Sequence, residues 1–223
     1  YEDRETERLL TQKKGEKGKI LFVSHIGCAE VTRAVAENDY DIPVNALVFE
    51  RHAPRFKAVM EKIAPKSHIN LIAVDTIGVQ TAEDLMARLS RGEWVAIAAD
   101  RTPVRPNGLV DRTVRVPFLG KDAPFPTGPY ILASLLKCPV YTLFADRDGC
   151  TIRIRARLFS EQLSLPRKER DKTLGHLAER FAEELQARAL TYPLDWFNFF
   201  DFWAEASDEA LRTHQKVPGE KIQ

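Results

Sequence analysis

The stretch ILFVSHIGCAEVTRA (residues 20–34) passes from a tight, β-prone apolar segment into a helical pattern, with a histidine and a glutamate on either side of the join. The run from Ile20 to Val23 is too short for a buried helix and fits a strand covered on both faces. Gly27 permits a sharp turn, and from about Cys28 to Asn38 the residues Val31, Ala34 and Val35 share one face of a helix. A strand that hands over to a helix in this way opens a β–α–β unit, and the residues downstream repeat it. VNALVF (44–49), INLIAV (69–74) and EWVAIAAD (93–100) read as strands, and APRFKAVMEKIA (53–64) and AEDLMARLSR (82–91) as helices between them. Thr81 and Asp84 have the spacing of a capping box for the second of these helices.

Such alternation specifies an α/β fold, a single domain with a largely parallel or mixed central sheet flanked by helices. Ligands of such sheets gather at the carboxyl ends of the strands, where both His25 and Asp100 fall. The second half is less regular: LVDRTVRVPFLG (109–120) is strand-like, GPYILASLLK (128–137) a helix, and PVYTLFA (139–145) a buried strand. CTIRIRARLF (150–159) alternates strictly, so Arg153, Arg155 and Arg157 share one face. That face is either the charged guard of an edge strand or a basic surface for an acidic carrier or anionic head group. From about Pro166 an amphipathic helix follows, and in LTYPLDWFNFFDFWAEA Trp196, Phe199, Phe200 and Trp203 fall on one helical face. Both core packing and a bilayer interface use such a face. The division is therefore a polar N-terminal segment (1–18), an α/β domain (19–190), and an aromatic C-terminal helix and tail (191–223).

The 33 basic and 32 acidic residues of the 223-residue chain cancel, so overall charge does not steer it to nucleic acid. Three scattered cysteines make neither a disulfide framework nor a zinc site, and Asp146 and Asp148 in ADRDG read as a hairpin turn rather than a metal site. No metal and no cofactor are expected. No continuous apolar run reaches the roughly 20 residues needed to span a bilayer. The chain opens on Tyr1 and a polar run, as expected if an upstream anchor has been removed.

A histidine near neutrality takes a proton from a hydroxyl and returns it to a leaving group, and a carboxylate beside it fixes the tautomer. On one continuous helix His25 and Glu30 would lie about 140° apart and could not meet. With the strand ending near Ser24 and a turn at Gly27, they can converge.

SHIGCAE resembles the H-x4-[D/E] block of the lysophospholipid acyltransferase superfamily, specifically the lipid A late acyltransferase (lauroyl and myristoyl transferase) branch. Three further segments resemble that branch in the same order: AIAADRTPVRPNGLVDRTVRVPFLG, with Asp100, Arg101, Val114, Val116, Pro117, Phe118 and Gly120; APFPTGPYILASLLKCPVYTLF; and YPLDWFNFF. Cys28 and Ala29 stand where the branch carries Asn and a large apolar residue.

The resemblance implies transfer of a fatty acyl group from a carrier thioester, acyl carrier protein or CoA, to a hydroxyl of a lipid-like acceptor: a glycolipid, an ornithine-type or a polyene-type lipid. His25 is then the general base and Glu30 its orienting partner. Arg55, Arg101 and the amide near Gly27 are candidate oxyanion donors, and Asp100 and Arg101 are expected to shape the site. Contact with a membrane or carrier falls to Arg153, Arg155, Arg157, Trp196, Phe199, Phe200 and Trp203. The implied location is the cytoplasmic face of a bacterial inner membrane, peripheral or through an anchor outside this chain. An acyl thioesterase and a non-catalytic membrane or carrier-binding module are the rival readings.

Overall fold

The computed structural model describes residues 3–48, 70–73, 78–101, 112–198 and 201–203. Their central sheet has six strands: β1 (Ile20–Val23), β2 (Val44–Val48), β3 (Asn70–Ala73), β4 (Trp94–Ala98), β7 (Val140–Asp148) and β8 (Thr151–Ser160), in the order β3-β2-β4-β1-β7-β8. All neighbours are parallel except β7 and β8, which form an antiparallel hairpin at one edge. β5 (Thr113–Phe118) and β6 (Lys121–Pro126) make a separate two-stranded hairpin. Five α-helices accompany these strands among the described residues: α1 (Arg4–Leu10), α2 (Ala29–Tyr40), α3 (Val79–Ser90), α4 (Gly128–Leu136) and α5 (Arg170–Thr191).

The central strands are apolar on both sides because both sides are covered. Phe22 and Ile20 on one face of β1 pack with α3, α4, α5 and the β5–β6 hairpin, while Leu21 on the other face packs with Leu9 and Leu10 of α1 and Ala36 of α2. The expected polar segment 1–18 thus contains a helix built into the domain. Leu9 and Leu10 are fully buried, and Thr6 Oγ1 accepts the Ala156 N–H at 2.8 Å. The apolar side of β8 faces α1, which leaves Arg153, Arg155 and Arg157 on the α5 side of the edge strand.

Two local expectations need correction. The helix expected to open at the Thr81–Asp84 capping box begins earlier, at Val79, with Gly78 as its N-cap, and Asp84 instead pairs with Arg88 at 2.7 Å. The C-terminal aromatic segment is not a continued helix in its described part. After α5 ends at Thr191 the chain makes a short 3-10 turn at Pro193–Asp195, and Trp196 bridges Ile26 in antiparallel fashion. Pro193 has no N–H to continue the helical ladder. Trp196 and Trp203 turn inward onto Phe118, at ring separations of 5.4 and 6.4 Å, with Phe202 fully enclosed between them, and Trp203 Nε1 donates to the Phe118 carbonyl. Trp196 and Trp203 therefore seal the β5–β6 hairpin rather than presenting an outer aromatic face. Phe199 and Phe200 lie outside the described residues, as does the expected helix 53–64.

Candidate active site

β1 and β4 are adjacent and parallel, with Val23 level with Ala98. Two residues further on, His25 and Asp100 therefore emerge side by side at the carboxyl edge of the sheet. Asp100 grips His25 twice. Its Oδ2 accepts the His25 backbone N–H at 2.7 Å, and its Oδ1 lies 2.9 Å from His25 Nδ1. The carboxylate is completely buried, while the His25 side chain is 40% exposed. Since a carboxylate only accepts, this contact calls for a ring hydrogen on Nδ1 and leaves Nε2 outside the Asp100 grip.

The turn after His25 is fixed by close backbone approach. Gly27 adopts φ +67°, and a Cβ there would sit 1.9 Å from the Ala145 carbonyl oxygen on β7. Only glycine fits such a position without moving backbone. The Cys28 N–H donates to that same Ala145 carbonyl at 2.9 Å, and the Gly27 N–H donates to the Asp195 carbonyl at 2.8 Å. Both amides are thereby committed within the fold, which removes the expected oxyanion role from the Gly27 amide.

Residues 195–197 form a strap along the turn. The Phe197 N–H donates to the His25 carbonyl at 2.9 Å, the Arg147 N–H donates to Asp195 Oδ2 at 2.9 Å, and the Arg101 guanidinium donates to the Phe197 carbonyl. Burial lowers the Arg101 pKa, with the Asp100 charge opposing. Beneath the site Tyr130 is fully buried, its hydroxyl without a hydrogen-bond partner among the described residues. Burial and then the Asp100 and Glu184 carboxylates push this phenol well above its ordinary value.

Of the sequence candidates, the structure brings together His25, Asp100, Gly27 and Arg101. Arg55 lies outside the described residues. Glu30 lies in the first turn of α2, and its side chain is outside the described residues. The partner seen on His25 Nδ1 is Asp100, expected from the sequence only to shape the site. Asp195 was missed altogether, because nothing in LTYPLDWFNFF marks it as a neighbour of Gly27. Arg153 pairs with Asp148 at 2.7 Å and Arg155 with Asp146 at 3.4 Å. Asp146 and Asp148 lead into the hairpin turn at Gly149, as ADRDG suggested. No group of three or more His, Cys, Asp or Glu side chains able to hold a metal occurs among the described residues.

No helix among the described residues is long and apolar enough to cross a membrane. A search of curated proteins finds no match. A family model described as bacterial lipid A biosynthesis acyltransferase matches residues 2–203, a span that takes in α1, the whole sheet, the His25–Asp100 pair and the strap. With a match over nearly its full length, the chain belongs to the bacterial lipid A biosynthesis acyltransferase family, whose members transfer acyl groups to lipid-like acceptors.

Proposed function

We propose that this acyltransferase moves a fatty acyl group from a carrier thioester, on acyl carrier protein or CoA, to a hydroxyl of a glycolipid, ornithine-type or polyene-type lipid, with His25 as general base. The observation that carries the reading is the double grip of Asp100 on His25, which leaves a single oriented nitrogen facing outward at the strand ends. In the proposed step Nε2 takes the acceptor's hydroxyl proton as the oxygen attacks the thioester carbonyl. The C–S bond then breaks, and His25 returns the proton to the departing sulfur, so no acyl-enzyme forms. General-base catalysis supplies about 10²–10⁴ in rate, and positioning and oxyanion stabilisation supply the rest. Arg101, held beside Asp100, is the proposed oxyanion or substrate donor, with Arg55 as a second. Glu30, expected from the H-x4-E spacing to orient His25, is assigned a supporting place in the first turn of α2, and Asp100 takes the orienting role.

The proposed location is the surface of the bacterial inner membrane on its cytoplasmic side. With Trp196 and Trp203 turned inward, the membrane-facing candidates shift to Leu190, Leu194 and Phe197, which are 68%, 93% and 48% exposed and adjoin the strap on His25. The test is to incubate the protein with labelled acyl carrier protein thioester and a total lipid extract, beside His25→Ala. Label in lipid with wild type and none with His25→Ala is expected. Free fatty acid released without an acceptor would favour a thioesterase, and transfer surviving in His25→Ala would overturn the mechanism.

A further inference from the structure

A second cluster of charge lies between β8 and α5, away from His25. Phe144, Arg155, Arg157, Glu184, Ala187 and Arg188 line a cavity of about 80 Å3. That is well above the roughly 10–15 Å3 needed to seat one water. Behind its wall Asp146, fully buried, takes Arg155 at 3.4 Å and Arg188 at 3.3 Å on one oxygen, Oδ2. One carboxylate thus fixes two guanidinium groups from different elements at the same cavity. Arg157 completes the set and makes no ion pair within 4.0 Å among the described residues. Glu184, the one acid among the described lining residues, is tied to the Thr142 hydroxyl at 2.5 Å. Burial raises its pKa against the pull of Arg157, Arg180 and Arg188. Three guanidinium groups from two elements thus converge on this cavity, with Asp146 behind two of them.

We propose that this cavity binds a phosphate-class oxyanion, held by Arg155, Arg157 and Arg188. Guanidinium groups suit such a ligand because their planar donors match its oxygens in pairs. A cavity of this volume has room for a tetrahedral anion. One stretch of β7 borders both places: Asp146 directly follows Ala145, whose carbonyl receives the Cys28 N–H and abuts Gly27. A phosphate here would anchor a molecule whose reacting end lies at His25. That assignment rests on the acyl-transfer reading; anion binding itself does not. The phosphate belongs either to the phosphopantetheine arm of the donor or to the head group of the acceptor.

The direct probe is inorganic phosphate, titrated calorimetrically at low salt against wild type, Arg157→Gln, Arg155→Gln/Arg157→Gln and Glu184→Gln. Saturable binding is expected, weakened about tenfold to a hundredfold in Arg157→Gln by loss of a charge-assisted contact. Arg157→Lys should restore part of it, and Glu184→Gln should tighten it by removing a repelling charge. Arg157 has no ion pair to lose in the free protein, so its variant stays interpretable if the double variant fails to fold. Absent binding in wild type, or binding unchanged in Arg157→Gln, overturns the proposal.

The kinetic arm compares acyl-pantetheine with acyl-phosphopantetheine, and acceptor lipids with and without a phosphate. A preference in kcat/KM for the phosphorylated member of one pair, lost in Arg157→Gln, supports the proposal and identifies the source. No preference in either pair, or one that survives in Arg157→Gln, overturns it. Phosphate binding that is intact in His25→Ala and in wild type, alongside no acyl transfer by either, would sink the acyl-transfer reading and leave the anion site standing.

Discussion

Replacing Asp100 by Asn tests the orienting role of Asp100 because the structure dictates how the amide must sit. The His25 backbone N–H points at one carboxylate oxygen from 2.7 Å, and His25 Nδ1 lies 2.9 Å from the other. An Asn side chain can satisfy the backbone donor only with its carbonyl oxygen, which turns its NH2 toward Nδ1. Nδ1 must then accept, the ring hydrogen moves to Nε2, and the outward nitrogen can no longer take a proton. The fold keeps both hydrogen bonds, so the stability cost stays at about 1–3 kcal/mol from exchanging a charged for a neutral acceptor. The catalytic cost is that of the base, about 10²–10⁴ in kcat, or roughly 3–5 kcal/mol of barrier. Single-turnover transfer at saturating acceptor reads kcat free of binding, circular dichroism verifies folding, and the ring-nitrogen resonances of labelled His25 identify the protonated atom. Glu30→Gln is the paired control. If Asp100→Asn stays within about threefold of wild type while Glu30→Gln falls a hundredfold or more, the orienting carboxylate is Glu30 and the reasoning is refuted.

Gly27→Ala places a Cβ against the Ala145 carbonyl at a positive φ, so the turn must shift; we expect activity to fall about a hundredfold or more with a clear loss in Tm, measured on the same preparation. Leu194→Ser removes about 2 kcal/mol of buriable apolar surface, so sedimentation with anionic vesicles should weaken roughly 30-fold, with transfer to a detergent-dispersed acceptor retained. Glu184 has a raised pKa in the folded chain, so the folded state holds its proton more tightly than the unfolded state, and stability falls as pH rises through the folded value. Glu184→Gln is therefore expected to raise Tm at pH 7, with the gain shrinking as the pH is lowered toward the unfolded value of 4.5. Phe118→Ala opens the ring cluster that holds Trp196, Phe202 and Trp203 and should cost about 3–5 kcal/mol by denaturant unfolding.

Element types were legible wherever the apolar period was sustained. Ile20–Val23, Val44–Val48 and Trp94–Ala98 stand out as strands because both of their faces are buried, and Gly128–Leu136 as a helix because Pro129 and its apolar run agree. The place of His25 was legible too, since a strand that ends just before a glycine turn leaves the residue between them at the carboxyl edge of the sheet. Its partner was not. Glu30 is near in sequence, whereas Asp100 comes level with His25 only because β4 inserts between β1 and β2, a strand order that no local pattern specifies. The described part of the aromatic segment departs from the expected helix for a related reason. Trp196 and Trp203 have helical spacing, but Pro193 ends the helix and the β5–β6 hairpin offers them a place to pack.

The strap at residues 195–197 has a consequence for what counts as a minimal enzyme. The Gly27, Arg147 and Phe197 amides are all bonded through it, and it contributes no side chain to the proposed proton transfer. Their hydrogen exchange should therefore rise together when the C-terminal segment is released, as one cooperative opening unit. A chain cut after Thr191 would keep every strand of the described residues, His25 and Asp100, yet lose the clamp that holds the histidine's own carbonyl. Catalytic competence in this fold would then be decided beyond α5, by residues that an activity-based search for acids and bases has no reason to visit.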